Sequence, residues 1–129
     1  VNGIPVHLCT REFFAECRDN LTPGGIVVTN LHSSTSIYDS MRKTFAASFR
    51  STTAFRLIRG NVVVVGSEAE RLGVPEICER IAAVQTQYGF DFGLPDIAQR
   101  EASAAPYRQS APLLRDAYTS MGEMPPPRR

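Results

Sequence analysis

Apolar positions in the first half of the chain follow two different periods. Phe13, Phe14, Cys17 and Leu21 recur at roughly helical spacing, which predicts an amphipathic helix over residues 11 to 20. Thr10 stands where an N-cap belongs, its hydroxyl free to accept from first-turn amides, and Glu12 lies near the helix's positive end. Pro23-Gly24-Gly25 stops the helix and turns the chain. The run Ile26-Val27-Val28-Thr29 is apolar and β-branched, which predicts a short strand covered on both faces. Ile37, Met41, Phe45 and Phe49 then step by four, giving a second helix one buried stripe with Arg42 and Lys43 on the opposite face. Ser36 followed by Asp39 predicts a capping box at its start.

Two strand-like runs come next, Thr53 to Ile58 and Asn61 to Gly66, separated by the tight-turn pair Arg59-Gly60. The second arm carries Val62-Val63-Val64-Val65 without polar alternation, so it belongs inside the sheet with a neighbour on each side. An edge strand that apolar would invite aggregation. The order is helix, strand, helix, then an antiparallel pair whose last strand is central. This excludes a plain βαβαβ half-barrel. It matches an α/β fold, the C-terminal half of a methyltransferase-type (Rossmann-like) doubly wound sheet, ending in an antiparallel strand pair. Beyond it the character changes. Pro75 and Glu76 start a third helix with the stripe Ile77, Cys78, Ile81, Val84 and Tyr88, and "YGFDFGLPD" and "ASAAPYRQSAPLLRDAYTSMG" read as loops with short helical turns. Two units are expected: residues 1–66 as a half α/β domain and residues 67–129 as a helical, loop-rich extension.

Composition narrows the function. At 129 residues the chain suits one domain. A net charge of +1 and a pI near 7.9 create no broad field for nucleic acid or an anionic membrane. Cys9, Cys17 and Cys78 lack Cys-x-x-Cys spacing, and with His7 and His32 they cannot assemble a metal cluster by proximity in sequence, so no metal is expected. No apolar run approaches the ~18 residues of a membrane span, and the expected location is cytoplasmic. The chain opens on Val1-Asn2-Gly3 with no initiator Met, as an alternative start or a piece of something longer would.

The stretch "GIPVHLCTREFFAECRDNLTPGGIVVTNLHS" followed by "FRLIRGNVVVVG" resembles the C-terminal half of the spermidine synthase-like family. The resemblance implies a methyltransferase fold and transfer of an aminopropyl group from decarboxylated S-adenosylmethionine to a polyamine. It covers residues 3 to about 66, with a weaker extension through "APLLRDAYTSM". Gly3 and Leu8 match the ends of a family segment, Gly-Pro-Ala-Glu-x-Leu, that lies against the donor's adenine, so Ile4, Pro5 and Leu8 are implied donor-wall residues. Asn30 falls where polyamine-making members carry a glutamine at the mouth of the site, and His32 and Ser33 follow on the same loop. Such a loop at the carboxyl end of a strand is where open α/β sheets hold ligands.

Four family features are not among these residues. The family's aspartate base lies just upstream of the position matching Gly3, and the glycine-rich turn and acidic residue that hold the donor's ribose lie further upstream. The Ile-Pro-Thr-Tyr loop that grips the polyamine is replaced by the Arg59-Gly60 turn. The expected partners are therefore a small-molecule nucleoside donor and an amine acceptor, with neither nucleic acid nor membrane, and a homodimer is left open. The expectation is a transferase segment inactive by itself. Two alternatives stand beside it: a methyltransferase using S-adenosylmethionine on a small amine or alcohol, and a non-catalytic half-domain that pairs through its sheet edge or apolar helix faces. His32 has no carboxylate partner nearby in sequence, which argues against a general base, and Cys9 is expected buried, not nucleophilic. The phenylalanines at 13, 14, 45, 49 and 55 are expected in the core, and Asp91 and Asp96 read as loop residues.

Overall fold

A computed structural model describes residues 4–94, 96 and 106–117. A 3₁₀ turn at Val6–Leu8 leads into helix α1 (Arg11–Asp19), strand β1 (Ile26–His32), helix α2 (Tyr38–Ala46), strands β2 (Ser51–Arg56) and β3 (Asn61–Ser67), and helix α3 (Val74–Tyr88). The fold is mixed α/β, with a three-stranded sheet in the order β1-β3-β2, and β3 runs antiparallel to both neighbours. The valine-rich arm is thus central, as its sequence predicts.

Thr10 caps α1 as its position suggests, accepting the Phe13 amide at 3.2 Å. Its hydroxyl proton goes to Asp116 at 2.6 Å, a partner over a hundred positions away. Met41, Phe45 and Phe49 are buried along the expected stripe of α2, while Ile37 packs at its margin. The Phe14, Phe45 and Phe49 rings meet over Leu31, Ala54, Val62 and Val64 of the sheet. Gly66 lies directly beneath two of them: a Cβ there would sit 2.5 and 2.6 Å from Phe49 ring carbons and 3.0 Å from Phe45.

Four local expectations are corrected. β1 is an edge strand buried on one side, with Ile26 and Val28 each 55% exposed. Residues 26 and 28 point away from α1 and α2, and a β-branched run carries no signal of which face is covered. The capping box does not form. α2 starts from Ile37 without a side-chain cap, and Asp39 instead binds Arg108. Arg42 does not lie on an exposed face; it is 8% exposed, beneath Tyr107. The α3 stripe reaches no core: Ile77, Cys78 and Ile81 are half-buried, and Val84 and Tyr88 are exposed.

Residues 106–117 form a strap that returns to the first part of the chain. Leu114 is buried in the main cluster, its amide donates to the buried Thr44 hydroxyl at 2.9 Å, and its carbonyl accepts from Arg11. Lys43 donates to the Ala111 carbonyl at 2.9 Å, and Glu12 accepts from the Asp116 amide. The Arg108–Asp39 pair, at 2.6 Å, closes the strap over α2. Whatever boundary residue 66 marks in sequence character, residues 106–117 pack with the elements before it.

The Arg108 guanidinium holds the Asp39 carboxyl below its usual range, outweighing the opposing effect of partial burial. A depressed folded pKa stabilises the docked strap above the ordinary aspartate range and is lost as pH falls through the lowered value. Asp39→Asn is expected to speed amide exchange at residue 114 by roughly two- to fivefold at neutral pH, the scale of an exposed ion pair. That difference from wild type should vanish in strong acid. Unchanged exchange at neutral pH would detach Asp39 from strap docking.

Candidate functional site

The candidate residues lie at one edge of the sheet, and the helix directions show which edge. Arg18, near the end of α1, donates to the Ser48 carbonyl just beyond α2, so the two helices run in the same direction. A short turn then starts β1 from that end, with Gly25 donating to Thr22. β1 accordingly finishes at the opposite edge, where α1 and α2 begin. The 3₁₀ turn bearing the implied donor wall and the end of β1 bearing the implied rim therefore share an edge. Two shallow concavities, of about 400 and 520 Å³, lie at the other edge, around Gly25 and Ser67 and around Ser51 and Glu70.

At the donor-wall positions, Ile4 is half-buried and packs on the core, whereas Pro5 is exposed and Leu8 is 38% exposed. Pro5 and Leu8 thus offer an apolar surface on a turn closed by a 3.0 Å bond from the Leu8 amide to the Pro5 carbonyl. Cys9, next in line, is fully buried, and burial pushes its thiol up to about 11. A thiol so raised is not a nucleophile near neutral pH.

The rim is more ordered than its sequence suggests. His32 Nε2 lies 2.8 Å from the Arg59 carbonyl, which can only accept, so this nitrogen carries the proton. Nδ1 then accepts from the Ser34 hydroxyl at 2.7 Å and from the Ser34 amide at 3.3 Å. His32 is thereby a clamp between the loop after β1 and the turn before β3, with no nitrogen left to abstract a proton. The Ser33 amide reinforces it by donating to Gly60 at 2.8 Å. The turn itself needs left-handed backbone: φ is 57° at Arg59 and 83° at Gly60. A Cβ at Gly60 would also meet Ser33 Oγ at 3.0 Å and the His32 ring at 3.1 Å. Asn30 is exposed, and its amide nitrogen donates to Asn61 at 3.3 Å, while its carbonyl oxygen has no hydrogen bond among those of the described residues.

Asn30 and His32 lie on β1 itself, not on the expected loop, and Ser33 follows in the loop; their partners Ser34, Arg59 and Asn61 were missed. The His-x-Ser spacing and the Arg59-Gly60 turn were the available signals. Carboxylates at this edge are engaged: Asp39 by Arg108, Glu12 by Arg115 and the Asp116 amide, and Asp116 by Thr10. Among the described residues, no three His, Cys, Asp or Glu side chains form a metal-ligand group, and no helix is long and apolar enough to cross a membrane.

No protein-family profile matches the chain. It is 26% identical over 122 residues to the polyamine aminopropyltransferase of Vibrio vulnificus (strain CMCP6). That alignment takes in 90% of this chain and 40% of the relative, so the chain spans less than half the length of the protein it resembles. The similarity supports the spermidine synthase-like family.

Proposed function

We propose that this chain supplies the acceptor rim and part of the donor wall of a spermidine synthase-like aminopropyltransferase. What carries the reading is the shared edge, deduced from the directions of β1, α1 and α2. The turn with Pro5 and Leu8 and the clamped end of β1, with Asn30 and His32 on the strand itself and only Ser33 in the loop beyond it, lie at the same end of a sheet whose last strand is central and antiparallel. The similarity to a polyamine aminopropyltransferase along most of the chain supports it. The same strand order supports placing these elements in the closing half of a methyltransferase-type sheet.

The reaction is an in-line attack by an amine nitrogen on the carbon next to a sulfonium. A carbon–nitrogen bond forms as the carbon–sulfur bond breaks, the thioether leaves with the electron pair, and the attacking nitrogen loses a proton. Decarboxylated S-adenosylmethionine is the donor substrate. Pro5 and Leu8 suit the face of an adenine, and Ile4 supports their turn from the core side. The Asn30 carbonyl oxygen suits an N–H donor of the acceptor. His32 and Ser33 hold the end of the strand that carries that oxygen against the Arg59-Gly60 turn, so the rim is preorganised. The proton must pass to a base that the engaged carboxylates of this edge do not provide, and the isolated 129-residue chain is accordingly predicted to be inactive.

In the native gene product, Asn30→Ala is expected to raise the acceptor KM about tenfold while changing kcat little, the scale of one lost hydrogen bond to an amine. Steady-state kinetics with a diamine acceptor checks this. An unchanged KM would remove Asn30 from the rim.

A further inference from the structure

The first turns of α2 concentrate positive charge that aminopropyl transfer leaves unused. Tyr38 and Arg42 are four residues apart and share a helix face. They are 6% and 8% exposed; Arg42 Nε has no hydrogen-bond partner among the described residues, and the Tyr38 hydroxyl has none there beyond the Arg42 guanidinium beside it. The Tyr107 ring stacks on Arg42, whose Cζ lies 5.1 Å from its centroid. Arg56 follows the buried Ala54 by two positions on β2 and pairs in register with the buried Val62. Its side chain therefore leaves the strand on the helix-covered face, at the edge where α2 begins. The Arg42 and Arg56 charges both act on the Tyr38 hydroxyl, whose pKa burial nevertheless pushes up. Among the described residues no carboxylate pairs with Arg42 or Arg56, and neighbouring Asp39 is already held by Arg108.

A buried guanidinium with neither counter-charge nor full hydrogen bonding is strongly unfavourable. Its planar fork matches the two oxygens of a carboxylate or phosphate, and the N-terminal end of α2 adds a positive dipole in the same place. We propose that Tyr38, Arg42 and Arg56 form a binding site for a small oxyanion, a carboxylate or phosphate group, at the N-terminal end of α2. Arg42 supplies the fork, Tyr38 donates its hydroxyl proton, and Arg56 closes the site from the strand side. This donor-only cluster is opposite in character to the amine rim, which needs an acceptor, and it stands whether or not the chain takes part in aminopropyl transfer.

The test follows arginine Nε–H signals of the 129-residue protein by nitrogen-15 NMR. Inorganic phosphate and acetate are titrated separately, with chloride keeping ionic strength constant. The Arg42 Nε–H signal is expected to shift saturably with at least one anion, and the tighter of the two identifies phosphate or carboxylate as the preferred group. Tyr38→Phe and Arg56→Met, which keep the buried charge in place, should each weaken binding roughly three- to tenfold. Arg80→Met, on α3, should leave it unchanged. The absence of a saturable shift with either anion, or equal binding by the Tyr38 and Arg56 variants and wild type, would overturn the proposal.

Discussion

Phe45→Ala is expected to lower folding stability by about 3–5 kcal/mol. Phe45 is fully buried, edge-on to Phe14 at 5.0 Å and tilted against Phe49 at 4.8 Å, and it lies over Gly66. Truncation removes the ring's transfer energy and leaves a cavity between two aromatic rings and the sheet that neither partner can fill without leaving its own contacts. Whole domains are stable by only ~5–15 kcal/mol, so most of the folded population is at risk. Urea unfolding followed by circular dichroism gives the number. A loss near 1 kcal/mol would mean that the Phe14–Phe45–Phe49 cluster is not the centre of the core.

Gly66→Ala tests the same core from the opposite direction. The added methyl would stand 2.5 Å from a Phe49 ring carbon, well inside van der Waals contact, and the Phe45 ring leaves little room to retreat. Overpacking of this kind costs typically ~1–3 kcal/mol, and the central position of β3 puts this site at the upper end. The diagnostic is a double variant. Adding Phe49→Leu should make Gly66→Ala markedly less destabilising than it is alone, because the clashing ring has gone. Additive losses would show that strand geometry, not the ring, requires glycine there.

Local signals carried the early elements well. Thr10 followed by spaced phenylalanines marked α1 and its cap, and four consecutive valines marked β3 as central because no edge strand tolerates such a run. The same logic overreached at β1. Ile26 and Val28 are as β-branched as the valines of β3, yet they face away from the helices, and composition alone does not distinguish one covered face from two. The strap was not legible because each of its contacts joins distant positions: Leu114 to Thr44, Arg108 to Asp39, Asp116 to Thr10. Arg42 was misplaced for the same reason, since the ring that covers it comes from Tyr107.

At the candidate site, the family resemblance brought Asn30 forward, and His32 and Ser33 followed it at the carboxyl end of a strand. What each does depends on residues this stretch meets only after folding. His32 takes its tautomer from the Arg59 carbonyl, and Asn30 has its amide nitrogen occupied by Asn61. A histidine read along the chain looks like a candidate acid or base. Held at both nitrogens it is a brace, and in the proposed function the contact to the amine falls to the Asn30 oxygen.

The most direct test purifies the gene product from its own cells and supplies labelled decarboxylated S-adenosylmethionine or labelled S-adenosylmethionine together with a diamine. The aminopropyl group is expected to appear on the diamine, with methyl transfer absent. Methyl transfer in its place, or no transfer and no nucleoside binding by a 14.2 kDa product, would contradict it.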